Sequence, residues 1–135
     1  MHSELISLVK TAKRVYLIGN GGSYANSVHA CNDLLACGIK AYVLDPSTLT
    51  AFANDYGYEN VFKLWIEKVG EAGDLLIALS GSGRSPNILK ACLAAETIGM
   101  TVWREFGAAK GLDMQAAEET QIKIGHDLMR ELRNG

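Results

Sequence analysis

The sequence predicts an α/β fold, a three-layer, doubly wound parallel sheet of about four to five strands flanked by helices. Two observations predict it. Short apolar runs suited to buried strands alternate with stretches whose apolar residues recur on the helical period. Two of those runs also end in loops rich in glycine and serine, Gly19–Ser23 and Ser80–Pro86, and each loop leads into a helix. Loops at strand C-termini lie on the edge where open parallel sheets take ligands.

Residues 3–12 place charges on a helical period and read as a helix. Val15–Ile18 is the first strand, closed by the tight loop Gly19–Gly22. Ser23 suits the N-cap of a helix that runs to about Ala36 and is stopped by Gly38. Ala41–Leu44 is the second strand, and Asp45-Pro46 reads as a turn. Leu49–Asp55 is a short helix or a loop, and Glu59–Val69 is helical until Gly73-Asp74 breaks the pattern. Asp74–Leu79 is the third strand, nearly continuous in apolar residues as central parallel strands are. Ser85-Pro86 opens the next helix as cap and first-turn proline, and that helix reaches about Ile98. Met100–Trp103 is the fourth strand and Gly107–Gly111 a loop. Residues 113–132 form a long helix with Met114, Ala117, Ile124, Leu128 and Leu132 on one side. Crossovers between such parallel strands are right-handed.

A length of 135 residues favours one domain, 1–135. The net charge is −2 with both signs interspersed, which argues against nucleic acid and against a membrane surface as partners. No apolar run approaches the ~20 residues of a membrane helix. The N-terminus lacks the apolar core of a signal peptide, so a cytoplasmic location is expected. Cys31, Cys37 and Cys92 lack metal or redox spacing and are expected as small buried hydrophobes in a reducing compartment.

The two loops are where chemistry is expected. Backbone N–H groups at a helix N-terminus attract anions, glycine permits close approach, and serine hydroxyls add donors. Ser80, Ser82 and Ser85 surround such a site, and Ser23 adds to it. GNGGSY lacks the GxGxxG spacing, and no Gly-Lys-Ser/Thr follows the second loop, so a sugar phosphate is favoured over a nucleotide. His29 and Asp33 are spaced i, i+4 on one helix face, which suits two ligands of one metal. Glu118 and His126 are eight residues apart, or ~12 Å along a regular helix. They converge on one metal only if the helix bends, or they serve different sites. Tyr24, just inside the first loop, is placed to pack in the core or to cover a sugar. Arg84 pairs with phosphate, with an acid on another chain, or stays exposed.

Taken together, GNGGS at 19–23 with His29 six residues on, LTAFANDYGYENVF at 49–62, GDLLIALSGSGRSPNILKA at 73–91 and DMQAAEETQIKIGHDLMREL at 113–132 resemble the SIS (sugar isomerase) domain. The closer resemblance is to its phosphoheptose isomerase branch. The resemblance implies a flavodoxin-like sheet and interconversion of sedoheptulose 7-phosphate with D-glycero-D-manno-heptose 7-phosphate. It implies a sugar site lined by Asn20, Gly21, Gly22 and Ser23, substrate contacts from Asn54 and Asp55, and a phosphate site at Ser80, Gly81, Ser82 and Ser85, with Glu118 also touching substrate. It further implies one zinc per site on His29, Asp33, Glu118 and His126. Four positions depart from the family pattern: Asp33 for glutamate, Glu118 for glutamine, Gly81 for threonine and Arg84 for asparagine. The family's long N-terminal helical region has no counterpart here, the segment after the second strand is short, and no fifth strand is read between Trp103 and Asp113.

Aldose–ketose isomerisation moves a proton between neighbouring carbons, which a carboxylate or imidazole can do. Asp33 or Glu118 is the candidate base and His126 the second acid/base, with zinc between them stabilising oxygen charge. A small chain with helices on both sheet faces leaves apolar surface to cover, and the resemblance implies a tetramer, or a dimer, with sites at the interfaces. The rival expectation is a non-catalytic SIS module that binds a sugar phosphate in a regulatory role.

Overall fold

Four strands form one parallel sheet in the order β2-β1-β3-β4: β1 Val15–Ile18, β2 Ala41–Val43, β3 Leu75–Ser80 and β4 Thr101–Phe106. This computed structural model describes residues 2–134. Helices α1 (Ser3–Thr11), α2 (Gly22–Ala36), α3 (Pro46–Tyr56), α4 (Val61–Val69), α5 (Pro86–Ile98) and α6 (Met114–Asn134) cover both faces. Short 3-10 turns lie at Tyr58–Asn60 and Gly107–Lys110.

The period-2 alternation of strand side chains divides the core into two layers. From β1 and β3, Tyr16, Ile18, Leu76 and Ala78 face α3, α4 and α5, where they meet Phe62, Ile66, Ile88 and Ala91. Val15, Leu17, Leu75, Ile77 and Leu79 face the opposite way, toward Leu5 and Val9 of α1, Cys31 and Leu34 of α2, and Ile124 and Leu128 of α6. Each large side chain so buried stabilises the fold by roughly 1.5–3 kcal/mol relative to exposure. This is the expected three-layer arrangement, and β3, buried at every position, is its central strand.

The strand order reverses between β1 and β3. The chain leaves β1 for β2 on one side and then returns to β3 on the other, so the loops after β1 and β3 open side by side. Adjacent register pairs, Leu17↔Ile77 and Ile18↔Ala78, bring the two strand ends level. This topology is what positions the site.

Three local expectations need correction, and one open reading is decided. Gly21, at φ 54°, precedes the first turn of α2, so Ser23 lies inside the helix and is not its cap. Asp45-Pro46 is no free turn: the Asp45 carboxylate accepts from the Thr48 N–H at 3.1 Å and caps α3, with Pro46 at its first position. The segment left open between helix and loop is therefore helical from Pro46 to Tyr56. Finally, β4 extends past Trp103 to Phe106, because β3 supplies a ladder partner for each residue up to Ser80↔Phe106. The polar pair Arg104-Glu105 hid this extension. Glu105 is buried, with its carboxylate held by the Trp103 indole N–H at 3.2 Å and by the Lys110 ammonium.

Candidate functional site

The loop after β3 is drawn tight by its own hydroxyls. The Gly83 N–H donates to Ser80 Oγ at 2.9 Å, and the Arg84 N–H donates to Ser82 Oγ at 3.1 Å. Gly83 turns the chain at φ 68°, a conformation that glycine adopts without strain. At Gly81 a Cβ would meet the thioether of half-exposed Met114 at the start of α6, a flexible side chain that can give way. The neighbouring Ala108 N–H donates to the Gly81 carbonyl at 2.8 Å and ties the loop to the turn after β4.

Between this loop and the one after β1 lies an open pocket of about 270 Å³, lined by Asn20, Ser23, Leu79, Ser80, Gly81, Ser82, Ser85 and Met114. Six of these are residues that the sequence assigned to substrate. Their hydrogen bonds give the pocket one chemical sign. Ser80 and Ser82 accept from backbone, and Ser23 Oγ accepts from Gln121 Nε2 at 3.0 Å. Asn20 Oδ1 accepts from Tyr58 Oη at 2.6 Å and from Asn87 Nδ2 at 2.8 Å. One lone pair of each of these serine oxygens and both of Asn20 Oδ1 are thus taken, while the hydroxyl protons of Ser23, Ser80 and Ser82 and one N–H of Asn20 have no partner among the described residues. The pocket offers donors at the N-terminus of α5, a setting matched to an oxyanion.

The first loop differs from the second. A side chain at Gly22 would collide with the Glu118 carboxylate, which lies across the start of α2. An acid at a helix N-terminus is stabilising, and its charge repels a second anion. The phosphate expectation therefore fits the loop after β3, with the loop after β1 left for uncharged sugar oxygens. Gly21 is exposed beside it.

A second cluster lies where α2 packs on α6. His29 Nε2 sits 3.1 Å from His126 Nε2 and 3.4 Å from Asp33 Oδ2. All three ligand atoms fall within 4.8 Å of one another. Ligands on a tetrahedral zinc, each ~2.0–2.1 Å from it, stand about 3.3 Å apart, so the residues present fit such an ion. Asp33 Oδ2 is buried and makes no hydrogen bond. An orphaned buried carboxylate oxygen facing two imidazole nitrogens is a donor set that calls for a cation. Glu118 is not in this group. It stands eight residues before His126, over the glycine loop, as the regular helix requires.

Other expected residues fall outside both clusters. Asn54 and Asp55 are exposed on the last turn of α3, with the Asn54 amide donating to the Asp55 carboxylate at 3.1 Å, and neither lines the pocket. Tyr24 does not cover the pocket: its Oη donates to the Leu44 carbonyl at 2.6 Å. Burial, then the Asp45 carboxylate, pushes the Tyr24 phenol above the ordinary tyrosine range. The Arg84 side chain is exposed.

Sequence reasoning missed Asn87, Gln121, Tyr58 and Met114. Asn87 and Gln121 are 2% and 4% exposed. Gln121 also accepts from Asn26 Nδ2 at 2.8 Å, and Asn26 in turn donates to the Glu118 carbonyl at 3.1 Å. A signal existed for both amides. Each occupies a core position of an amphipathic helix, Asn87 in the row of Ala91 and Ala94, and Gln121 in the row of Ala117, Ile124 and Leu128. A polar residue in a core row needs a polar partner.

Residues 3–103 match the SIS domain family. A protein named phosphoheptose isomerase from Akkermansia muciniphila is 39% identical over 133 residues, which cover 93% of this chain and 70% of that protein. Another of that name, from Bradyrhizobium sp., is 36% identical over 120 residues, covering 83% of this chain and 60% of that one. The solved structure of phosphoheptose isomerase GmhA from Neisseria gonorrhoeae matches with a TM-score of 0.87 at 25% identity, over 98% of this chain and 83% of that one. The chain thus spans as little as 60% of the length of a relative it matches.

Proposed function

The chain belongs to the SIS domain family, in its phosphoheptose isomerase branch, and from that premise we propose that it is an aldose–ketose isomerase converting sedoheptulose 7-phosphate to D-glycero-D-manno-heptose 7-phosphate in heptose biosynthesis. The observation that carries the reading is the donor-lined pocket at the paired loops, with Ser80, Ser82 and Ser85 at the start of α5. These residues hold the phosphate. Asn20 and Ser23 hold sugar oxygens.

The residues divide the chemistry as follows. Glu118, over the glycine loop, takes the proton from C1 of the ketose and returns it to C2. His126, whose Nε2 faces His29 and Asp33, acts as a metal ligand in this arrangement, and the hydroxyl proton passes between the two neighbouring substrate oxygens directly or through water. The Asn20 N–H stabilises the negative charge that builds on oxygen between these steps. Asp33, whose unpartnered buried oxygen faces the two imidazoles, is a metal ligand and not the base. Zinc held by His29, Asp33 and His126 would supply Lewis-acid stabilisation of the same oxygen charge. Because Glu118 and His126 are ~12 Å apart along α6, one sugar meets both only where two copies of the chain adjoin. We place the enzyme in the cytoplasm as a homo-oligomer, a dimer or tetramer with composite sites.

The test is turnover of sedoheptulose 7-phosphate by the purified protein, together with its metal content. We expect isomerisation, one zinc per chain, and loss of both in Asp33→Asn. Turnover and metal unchanged in that variant would defeat the ligand assignment. Absence of turnover in the zinc-loaded native protein would defeat the enzyme reading.

A further inference from the structure

We propose that Asn87 and Tyr58 are positioning residues that lock the Asn20 side chain in one amide orientation, so that it meets the substrate with a single N–H and never with its carbonyl oxygen. The inference rests on the sugar-phosphate reading above and deepens it.

A complete count of partners carries it. An amide side chain has two acceptor lone pairs and two donors. Asn20 Oδ1 takes the Tyr58 hydroxyl at 2.6 Å and Asn87 Nδ2 at 2.8 Å, which fills both lone pairs. Asn20 Nδ2 gives one N–H to Asn87 Oδ1 at 2.9 Å. One N–H remains, on a residue that lines the pocket. The lock is rigid because Asn87 is 2% exposed, among Ile88, Ala91 and Cys92 of the α5 core row. Neither amide of this pair can turn alone without leaving both residues unpaired, and a turn of both together would set an N–H against Tyr58 Oη in place of Oδ1, so the hydroxyl that Tyr58 donates is what fixes the direction of the pair. Tyr58 closes the arrangement from the solvent side, ahead of α4, and shares with Asn20 and Asn87 a second cleft next to the pocket.

The consequence is chemical. A free asparagine turns its amide over and offers either end to a ligand. A locked one presents an N–H alone, which matches a carbonyl oxygen and binds it more tightly as negative charge develops there. The lock therefore favours the transition state over the ground state, and its loss appears in kcat more than in KM.

The test is a double-mutant cycle on turnover of sedoheptulose 7-phosphate. Asn87→Ala should lower kcat by about 10–100-fold, less than the ~10²–10³-fold cost of removing an oxyanion donor outright, with KM changed less than about 3-fold. Tyr58→Phe removes one hydroxyl from an exposed ring and keeps the fold; it should lower kcat by about 3–10-fold. In the Asn20→Ala background both substitutions should have no further effect. Equal losses in the two backgrounds would overturn the proposal. A second readout separates this idea from the functional reading. In the side-chain amide NMR spectrum of the native protein without ligand, the Asn20 Nδ2 proton bonded to Asn87 should exchange slowly with water, and rapidly in Asn87→Ala. Fast exchange in the native protein would overturn the lock whether or not the sugar phosphate is turned over. Slow exchange in a protein without turnover would retain the lock and discard the substrate.

Discussion

Gly81 and Met114 are a matched pair, since the loop residue has no side chain and the thioether lies where one would begin. Because Met114 is a flexible, half-exposed side chain that can swing aside, Gly81→Ala should destabilise the protein by less than about 1 kcal/mol. Most of that loss should return in Gly81→Ala/Met114→Ala, as read by urea denaturation. A second prediction concerns the thiols. Cys31 and Cys92 are buried, and burial pushes both above the ordinary thiol range. The native state therefore keeps these protons at pH values where the unfolded chain gives them up, so stability falls as pH rises past about 8.5. The fall in denaturation midpoint between pH 8 and pH 10 should be shallower in Cys31→Ala/Cys92→Ala, and both native cysteines should resist maleimide at pH 7. Burial of these two cysteines was legible from their type, whereas Cys37, expected to be buried as well, is only half-buried at the C-cap of α2. The roles of Asn87 and Gln121 were not, because a residue in a core row announces a partner without naming it.

Element boundaries were legible wherever a local rule sets them. Val15–Ile18 follows from four apolar residues before a glycine loop, and the α5 start follows from Ser85-Pro86. They were misread where a residue serves two rules at once. Asp45-Pro46 satisfies both the turn and the helix-cap patterns, and what decides is the Thr48 N–H that the carboxylate accepts. Asp45→Ala should therefore cost about 0.5–2 kcal/mol in chemical denaturation, and Asp45→Ser should restore most of it. A loss within error would mean that α3 is held by Leu49 and Phe52 packing alone. The extension of β4 to Phe106 was illegible for a different reason. Arg104-Glu105 breaks the apolar run, and only pairing with β3 keeps those residues extended.

At the scale of the molecule, the donor pocket and the histidine pair stand apart on one chain, one at the start of α6 and the other more than two turns along it. Leu35, Leu89, Leu93 and Ile122 remain exposed, apolar surface of the kind an assembly covers. The composite-site reading makes a sharp prediction. Glu118→Gln and His126→Gln chains should each be inactive, yet an equal mixture, unfolded and refolded together, should recover about a quarter of native turnover, since a random pairing rejoins two intact halves that often. Recovery of nothing, from a mixture shown by light scattering to be oligomeric, would mean that both residues act within one chain. Among the described residues no helix is long and apolar enough to cross a membrane.

The sequence by itself determined the layered parallel sheet, the two glycine- and serine-rich loops at the strand ends and the His29–Asp33 pair, because each depends on contacts within a few residues: strand period, helix period, glycine at a turn, and an i, i+4 step. The tertiary structure decided that, of the two α6 residues the family resemblance set beside that pair, His126 joins it while Glu118 stays over the glycine loop, and that Asn87 and Gln121 stand behind Asn20 and Ser23. Those contacts join residues 67 to 98 positions apart. Chain order carries no record of such distances. They are fixed only when the strand order reverses between β1 and β3 and α6 settles against α2.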